Sequence, residues 1–145
     1  MNDGTNLYMA VRVFQNSFDK ANNLLIDFDN DADGAIAEND DAIGYDADTR
    51  VFFDRHVTKK CVNNSQSGCR ADDASVGGDG GTDNDGTWTT YELSHPLNGG
   101  DTKDIAVKKD DMLGFFITLR VGNGAQGNTQ WPGFRNFRNL TIVGF

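Results

Sequence analysis

Apolar residues in this chain fall into short runs and alternations, with no helical spacing. Asn6-Leu7-Tyr8-Met9-Ala10-Val11-Arg12-Val13-Phe14 reads as a buried strand. Asn22-Asn23 turns the chain into Leu24-Leu25-Ile26-Asp27-Phe28, a second strand. Segments 42–45 and 50–54 are short strands joined by Asp46-Ala47-Asp48. Gly86-Thr87-Trp88-Thr89-Thr90-Tyr91-Glu92-Leu93 alternates in the way of a half-buried strand until Pro96 breaks it. Segment 104–107 is a short strand, 112–121 is the strongest core strand, and 139–145 closes the chain. A glycine-rich loop between the last two carries Trp131-Pro132-Gly133-Phe134. No segment has a convincing amphipathic helical pattern, and no repeat is evident. Seven or eight short strands separated by turn signals predict an all-β chain. The expected fold is an antiparallel β-sandwich, two sheets in the jelly-roll or immunoglobulin-like manner, as a single domain over 1–145.

One stretch resists that pattern. Residues 59–86 form a long polar excursion, and the Gly77-Gly78-Asp79-Gly80-Gly81-Thr82-Asp83-Asn84-Asp85-Gly86 part cannot bury apolar side chains. A loop of this length inside a compact domain is usually functional or disordered.

Composition sharpens the picture. The 22 acidic residues divide into 20 Asp and 2 Glu, against 13 Lys and Arg, for a net charge of -9 in 145 residues. Asp is a turn, cap and metal-ligand residue, whereas Glu favours helix interiors. With 17 Gly, this is the composition of a loop-rich β protein. Such acidity argues against nucleic acid as a partner and against anionic membrane surfaces. No apolar run approaches the roughly 20 residues of a membrane span. No signal peptide is visible, since Met1 is followed at once by Asn2-Asp3-Gly4.

The strongest chemical signal is Asp29-Asn30-Asp31-Ala32-Asp33-Gly34, directly behind the second strand. Carboxylates at alternate positions followed by glycine let a short loop wrap oxygens around Ca²⁺, which takes six to eight of them at about 2.3–2.6 Å. The pattern matches the first half of an EF-hand loop. The second half departs from it. Position 12 is Asp40 where an EF-hand needs a bidentate Glu, and the flanks are strands. The expectation is therefore a calcium loop outside the EF-hand fold, with Asp27, Asp29, Asp31, Asp33 and Asp40 as side-chain ligands and the carbonyl of Ala35 as a backbone ligand. The plain alternative is a solvated acidic turn. The metal is preferred because crowded carboxylates repel one another unless a cation neutralises them.

Cys61 and Cys69 are the only cysteines, in a polar segment with no zinc-ligand spacing. A loop-pinning disulfide is preferred over two free thiols. It would fit an oxidising compartment, as would a calcium loop, and so a secreted or cell-surface location. His56 and His95 are too few and too far apart in sequence to argue a metal or catalytic constellation. Together with Met9 and Met112 they signal no haem-ligand pair. Asp79, Asp83 and Asp85 form a second acidic cluster, read as a solvated loop in preference to another cation site. No enzyme signature is present.

Taken in order, "LYMAVRV", "LLIDFDNDADG", "DDAIGYD", "TWTTYELSHPL", "DMLGFFITL" and "QWPGF" resemble the family 9 carbohydrate-binding-module-like domains of the DOMON-like group, from Leu7 to the last strand. That resemblance implies a secreted or surface β-sandwich, often with structural calcium, and a pair of tryptophans that clamp a sugar. Here the pair would be Trp88 and Trp131, with Arg135 as a hydrogen-bonding neighbour. Two departures matter. Such domains usually open with a further strand or two, yet only six residues precede Leu7. The excursion from Cys61 to Gly86 is not demanded by the family pattern. A missing opening strand leaves an exposed sheet edge, a template for a second chain. Two functions follow as expectations. One is a non-catalytic carbohydrate-binding module. The other is a structural or assembly module whose edge pairs with another copy in a calcium-dependent homo-oligomer.

Overall fold

Residues 1–15, 22–59, 69–73, 77–120, 128–133 and 136–143 are described by the computed structural model. Their strands are β1 (Asn6–Phe14), β2 (Asn23–Asp29), β3 (Asp41–Asp46), β4 (Val51–Val57), β5 (Arg70–Asp72), β6 (Asp79–Asn84), β7 (Trp88–Pro96), β8 (Met112–Arg120), β9 (Asn128–Trp131) and β10 (Arg138–Thr141). They make two antiparallel sheets. The smaller has the order β1-β7-β6, and the larger runs β10-β8-β2-β3-β4-β5. Strand β9 pairs the second half of β8 on the side where β10 pairs the first half. The chain is all-β, a two-sheet sandwich as its pattern predicts.

Alternation builds the core. Leu24, Ile26 and Phe28 of β2, Ile43 and Tyr45 of β3, and Leu113 and Leu119 of β8 face Leu7, Tyr91 and Leu93 of the smaller sheet in one cluster. Tyr45 and Tyr91 meet edge to face across the sheets, centroids 6.4 Å apart. Each such buried side chain contributes about 1.5–3 kcal/mol. On β3, Gly44 lies opposite Phe53. A Cβ there would come within 2.2 Å of that ring and 2.3 Å of the Leu24 carbonyl oxygen, so the ring packs on bare backbone.

Three elements differ from the sequence expectation. The excursion at 59–86 contains two strands. β6 pairs β7 from Asp79↔Ser94 to Asn84↔Thr89, and β5 pairs β4. The glycines that suggested a loop are what allow β6 to form. A Cβ on Gly80 would lie 2.6 Å from Leu93 Cδ2 and 3.1 Å from Phe52 Cδ2, so the strand covers the core with backbone alone. Trp131 sits at the end of strand β9, not in a loop, because β8 has a free edge for Asn128–Trp131 to join. Segment 104–107 makes only the isolated bridge Asn98↔Ala106, while Ile105 drops fully into the core.

Among the described strands β1 lies at the end of the smaller sheet. β1 pairs only β7. Its outer side is met at its first turn, where Asn6 N–H donates to Asp3 Oδ1 at 2.7 Å and the Asn6 carbonyl accepts the Asp3 N–H at 3.2 Å, and where Tyr8 N–H donates to the Met1 carbonyl at 2.7 Å and the Met1 amino group donates back to the Tyr8 carbonyl at 2.9 Å. Between β1 and the β8–β9–β10 side of the larger sheet runs a cleft of about 490 Å³, with Leu7, Met9, Phe115, Ile117, Trp131 and Leu140 among its walls.

Candidate metal centre

The acidic loop joins β2 to β3 as a hairpin connection. Gly34 at φ 82° and Ala32 at φ 57° bend it through left-handed backbone, which glycine takes freely and alanine at some cost. The bend turns backbone N–H groups inward. Gly34 donates to Asp29 Oδ2 at 2.8 Å, Ala37 to Asp40 Oδ2 at 2.7 Å and Asn30 to Asp40 Oδ1 at 3.2 Å. Asn30 ties the loop to its surroundings through the carbonyls of Asn39 and Lys103.

Asp29, Asp31 and Asp40 converge, each offering an oxygen within 4.8 Å of the others. Oxygens around one calcium ion can stand no further apart than twice the bond length, about 4.6–5.2 Å, so all three fit a single shell. Asp29 and Asp40 are buried and Asp31 is exposed, which leaves one side open to solvent. Burial is the largest influence on Asp40 and lifts its pKa to about 6, with the charges of Asp29 and Asp31 adding to it. Burial likewise raises Asp29. These groups are held in a cradle that disfavours their own charge, and a divalent cation would reverse that penalty.

The other sequence candidates stand outside this triad. Asp33 Oδ1 accepts the N–H of Ala35 at 2.7 Å and serves the loop's own turn. Asp27 is fully buried on β2 and is bound by Arg70 of β5, Nε at 2.7 Å. It is the anion of an internal ion pair, a role sequence could not suggest because 43 residues separate the two. Burial still raises Asp27 to about 6, against the lowering effect of Arg70. Cys69 is buried and is not a free thiol. Its expected partner Cys61 lies outside the described residues, as does Arg135.

The two tryptophans do not form a clamp among the described residues. Trp88 lies on the outer face of the smaller sheet, edge to face with Phe14 at 5.3 Å and with the Arg12 guanidinium 5.0 Å from its ring centroid. Trp131 is 53% exposed and belongs to the cleft on the other sheet, 6.0 Å from the Phe115 ring. Asp79 and Asp83 lie four residues apart along β6, roughly 13 Å, and do not converge; Asp85 is engaged by Arg12 at 3.0 Å. No protein-family model and no curated protein matches the chain. The fold and the loop define a two-sheet all-β protein with a preformed cluster of carboxylates.

Proposed function

We propose that the protein is a non-catalytic, calcium-stabilised extracellular binding module whose ligand is carbohydrate. The calcium half rests on the convergence of Asp29, Asp31 and Asp40. The ligand half is carried by the outer face of the smaller sheet. That face holds a depression of about 660 Å³ whose walls include Tyr8, Ala10, Asp79, Gly81, Glu92 and Ser94. Ala10 and Gly81 supply almost no side chain, and a Cβ on Gly81 would meet nothing within 4 Å, so the floor is wide enough for a ring. Tyr8 is 42% exposed, and its hydroxyl donates to Asp3 Oδ2 at 2.8 Å, which fixes the ring before any ligand arrives. Glu92, Asp79 and Ser94 offer acceptors for sugar hydroxyls. A pyranose asks for this pairing of an aromatic face for its C–H side and polar groups for its hydroxyls.

Titration of tryptophan and tyrosine fluorescence with soluble oligosaccharides, guided by a glycan array, tests this. Tyr8→Ala should weaken binding about tenfold, the worth of one aromatic contact, while Trp131→Ala should leave it unchanged. Absence of any sugar response at millimolar ligand would end the carbohydrate reading.

One observation favours a second reading, assembly. By the two-residue alternation of a strand, Ala10, Arg12 and Phe14 turn their N–H and C=O groups outward in phase with Tyr8. Arg12 is the only charge on the strand, so nothing there blunts the edge. Beside it lies the apolar cleft under Trp131. A second copy adding along β1 would satisfy those groups and cover the cleft. Sedimentation at rising concentration should then give species at twice 15.8 kDa. A strict monomer rules assembly out.

A further inference from the structure

Beneath the acidic loop, between the two sheets, a second group of polar side chains interrupts the core. Asp41 is the first residue of β3 and shares the inward phase of Ile43 and Tyr45. Asp54 shares the phase of Phe52 on β4, and His95 that of Tyr91 and Leu93 on β7. Exposure is 0% for Asp41, 2% for Asp54 and 0% for His95. His95 Nδ1 donates to the Pro96 carbonyl at 2.8 Å in the neutral tautomer, which leaves Nε2 as the lone-pair nitrogen. That is how an outer hydrogen bond orients a metal-binding histidine. Among the described residues Nε2 makes no hydrogen bond of ordinary geometry. It lies 3.5 Å from Asp54 Oδ2 and 3.7 Å from Asp41 Oδ2. These separations are beyond an ordinary N–H···O bond of 2.7–3.2 Å, and close to the roughly 3.3–3.4 Å edge of a tetrahedron with metal–ligand bonds of about 2.0–2.1 Å.

Backbone groups hold the carboxylates in place. Gly77 N–H donates to Asp54 Oδ2 at 2.7 Å and Ile105 N–H to Asp41 Oδ2 at 3.0 Å. Asp54 Oδ1, Asp41 Oδ1 and both oxygens of Asp104 are buried with no hydrogen-bond partner among the described residues. Asp54 stands within 4.8 Å of Asp73 and Asp104 as well. Asp73 already accepts from His56 Nδ1 at 2.5 Å. An imidazolium at His95 brings one positive charge to Asp41, Asp54 and Asp104 together, too little to neutralise them. Buried groups left this way cost free energy unless something binds them.

We infer that Asp41, Asp54 and His95 hold a first-row divalent transition ion, with Asp104, which offers an oxygen within 4.8 Å of Asp54, as a further carboxylate to complete its shell. A donor set of imidazole and carboxylates suits Zn²⁺, Mn²⁺ or Co²⁺ better than Ca²⁺, which prefers oxygen alone. The inference does not depend on the carbohydrate reading or on the calcium loop.

The probe is Co²⁺ and Zn²⁺ added to the full chain after EDTA treatment and dialysis, with millimolar Ca²⁺ present throughout. Wild type should bind one equivalent of Zn²⁺, develop visible Co²⁺ d–d absorption, and shift the His95 ring nitrogen signals in nitrogen-15 NMR. His95→Gln should lose the absorption and weaken Zn²⁺ binding at least tenfold, while Asp31→Asn keeps both. The wild-type absorption and NMR shifts need no variant to fold. A wild type with no Co²⁺ absorption and no Zn²⁺-dependent shift at His95 overturns the inference. So does a His95→Gln protein that is folded by circular dichroism and binds Zn²⁺ as tightly as wild type.

Discussion

Arg70→Ala should destabilise the protein by about 3 kcal/mol or more at pH 8, among the largest effects of any single exposed-to-core change in the chain. Asp27 is 0% exposed, its Oδ1 is bound by Arg70, and its Oδ2 has no hydrogen-bond partner among the described residues. Removing the guanidinium strands a charge inside the sheet. The defect should shrink in acid. Asp27 is raised to about 6 even with Arg70 beside it, so at pH 5 the carboxyl is mostly neutral in the fold and needs no cation. Asp27→Asn combined with Arg70→Ala should recover most of the loss, because the amide carries no charge to compensate. Urea unfolding of the four proteins at both pH values gives the coupling directly. An Arg70→Ala protein as stable as wild type at pH 8 would mean the pair holds nothing.

Calcium should have an effect of similar size. Binding to the folded state alone at about 1,000 times Kd adds about 4 kcal/mol, a rise in Tm on the order of 10 °C for a chain of this length. Asp31→Asn should remove most of that rise without harming the calcium-free protein, since Asp31 is exposed and takes no part in the core. Melting metal-free protein with and without added Ca²⁺, rather than with EDTA alone, keeps the loop's contribution separate from that of any other ion.

The sequence made some of this legible for physical reasons. Strand β1 was readable to its end residues as a largely apolar run, but its reading as a buried strand was half right: Tyr8, Ala10, Arg12 and Phe14 at alternate positions are exposed, because β1 covers the core with one face only. The convergence of Asp29, Asp31 and Asp40 was readable because a hairpin loop places sequence neighbours together, whereas Asp27 and Asp33, expected beside them, take other partners. β6 was hidden because glycine, the residue that lets it lie on Leu93 and Phe52, is also the residue of loops. β9 was hidden because an edge strand needs only one partner and little apolar content. The Arg70–Asp27 pair depends on chain separation that pattern cannot bridge. The group at Asp41, Asp54 and His95 did leave a trace. Each is a polar residue in phase with core neighbours on its strand, at a position where alternation calls for an apolar side chain. That trace gains meaning only when the two sheets are stacked.

The central claim is that the β2–β3 loop is a calcium site. Isothermal titration of Ca²⁺ into metal-free wild type and Asp31→Asn tests it most directly. A saturable isotherm in wild type that is lost or weakened at least tenfold in Asp31→Asn is the expected result. A flat wild-type isotherm, or one that Asp31→Asn leaves unchanged, would contradict it and leave the loop a solvated acidic turn.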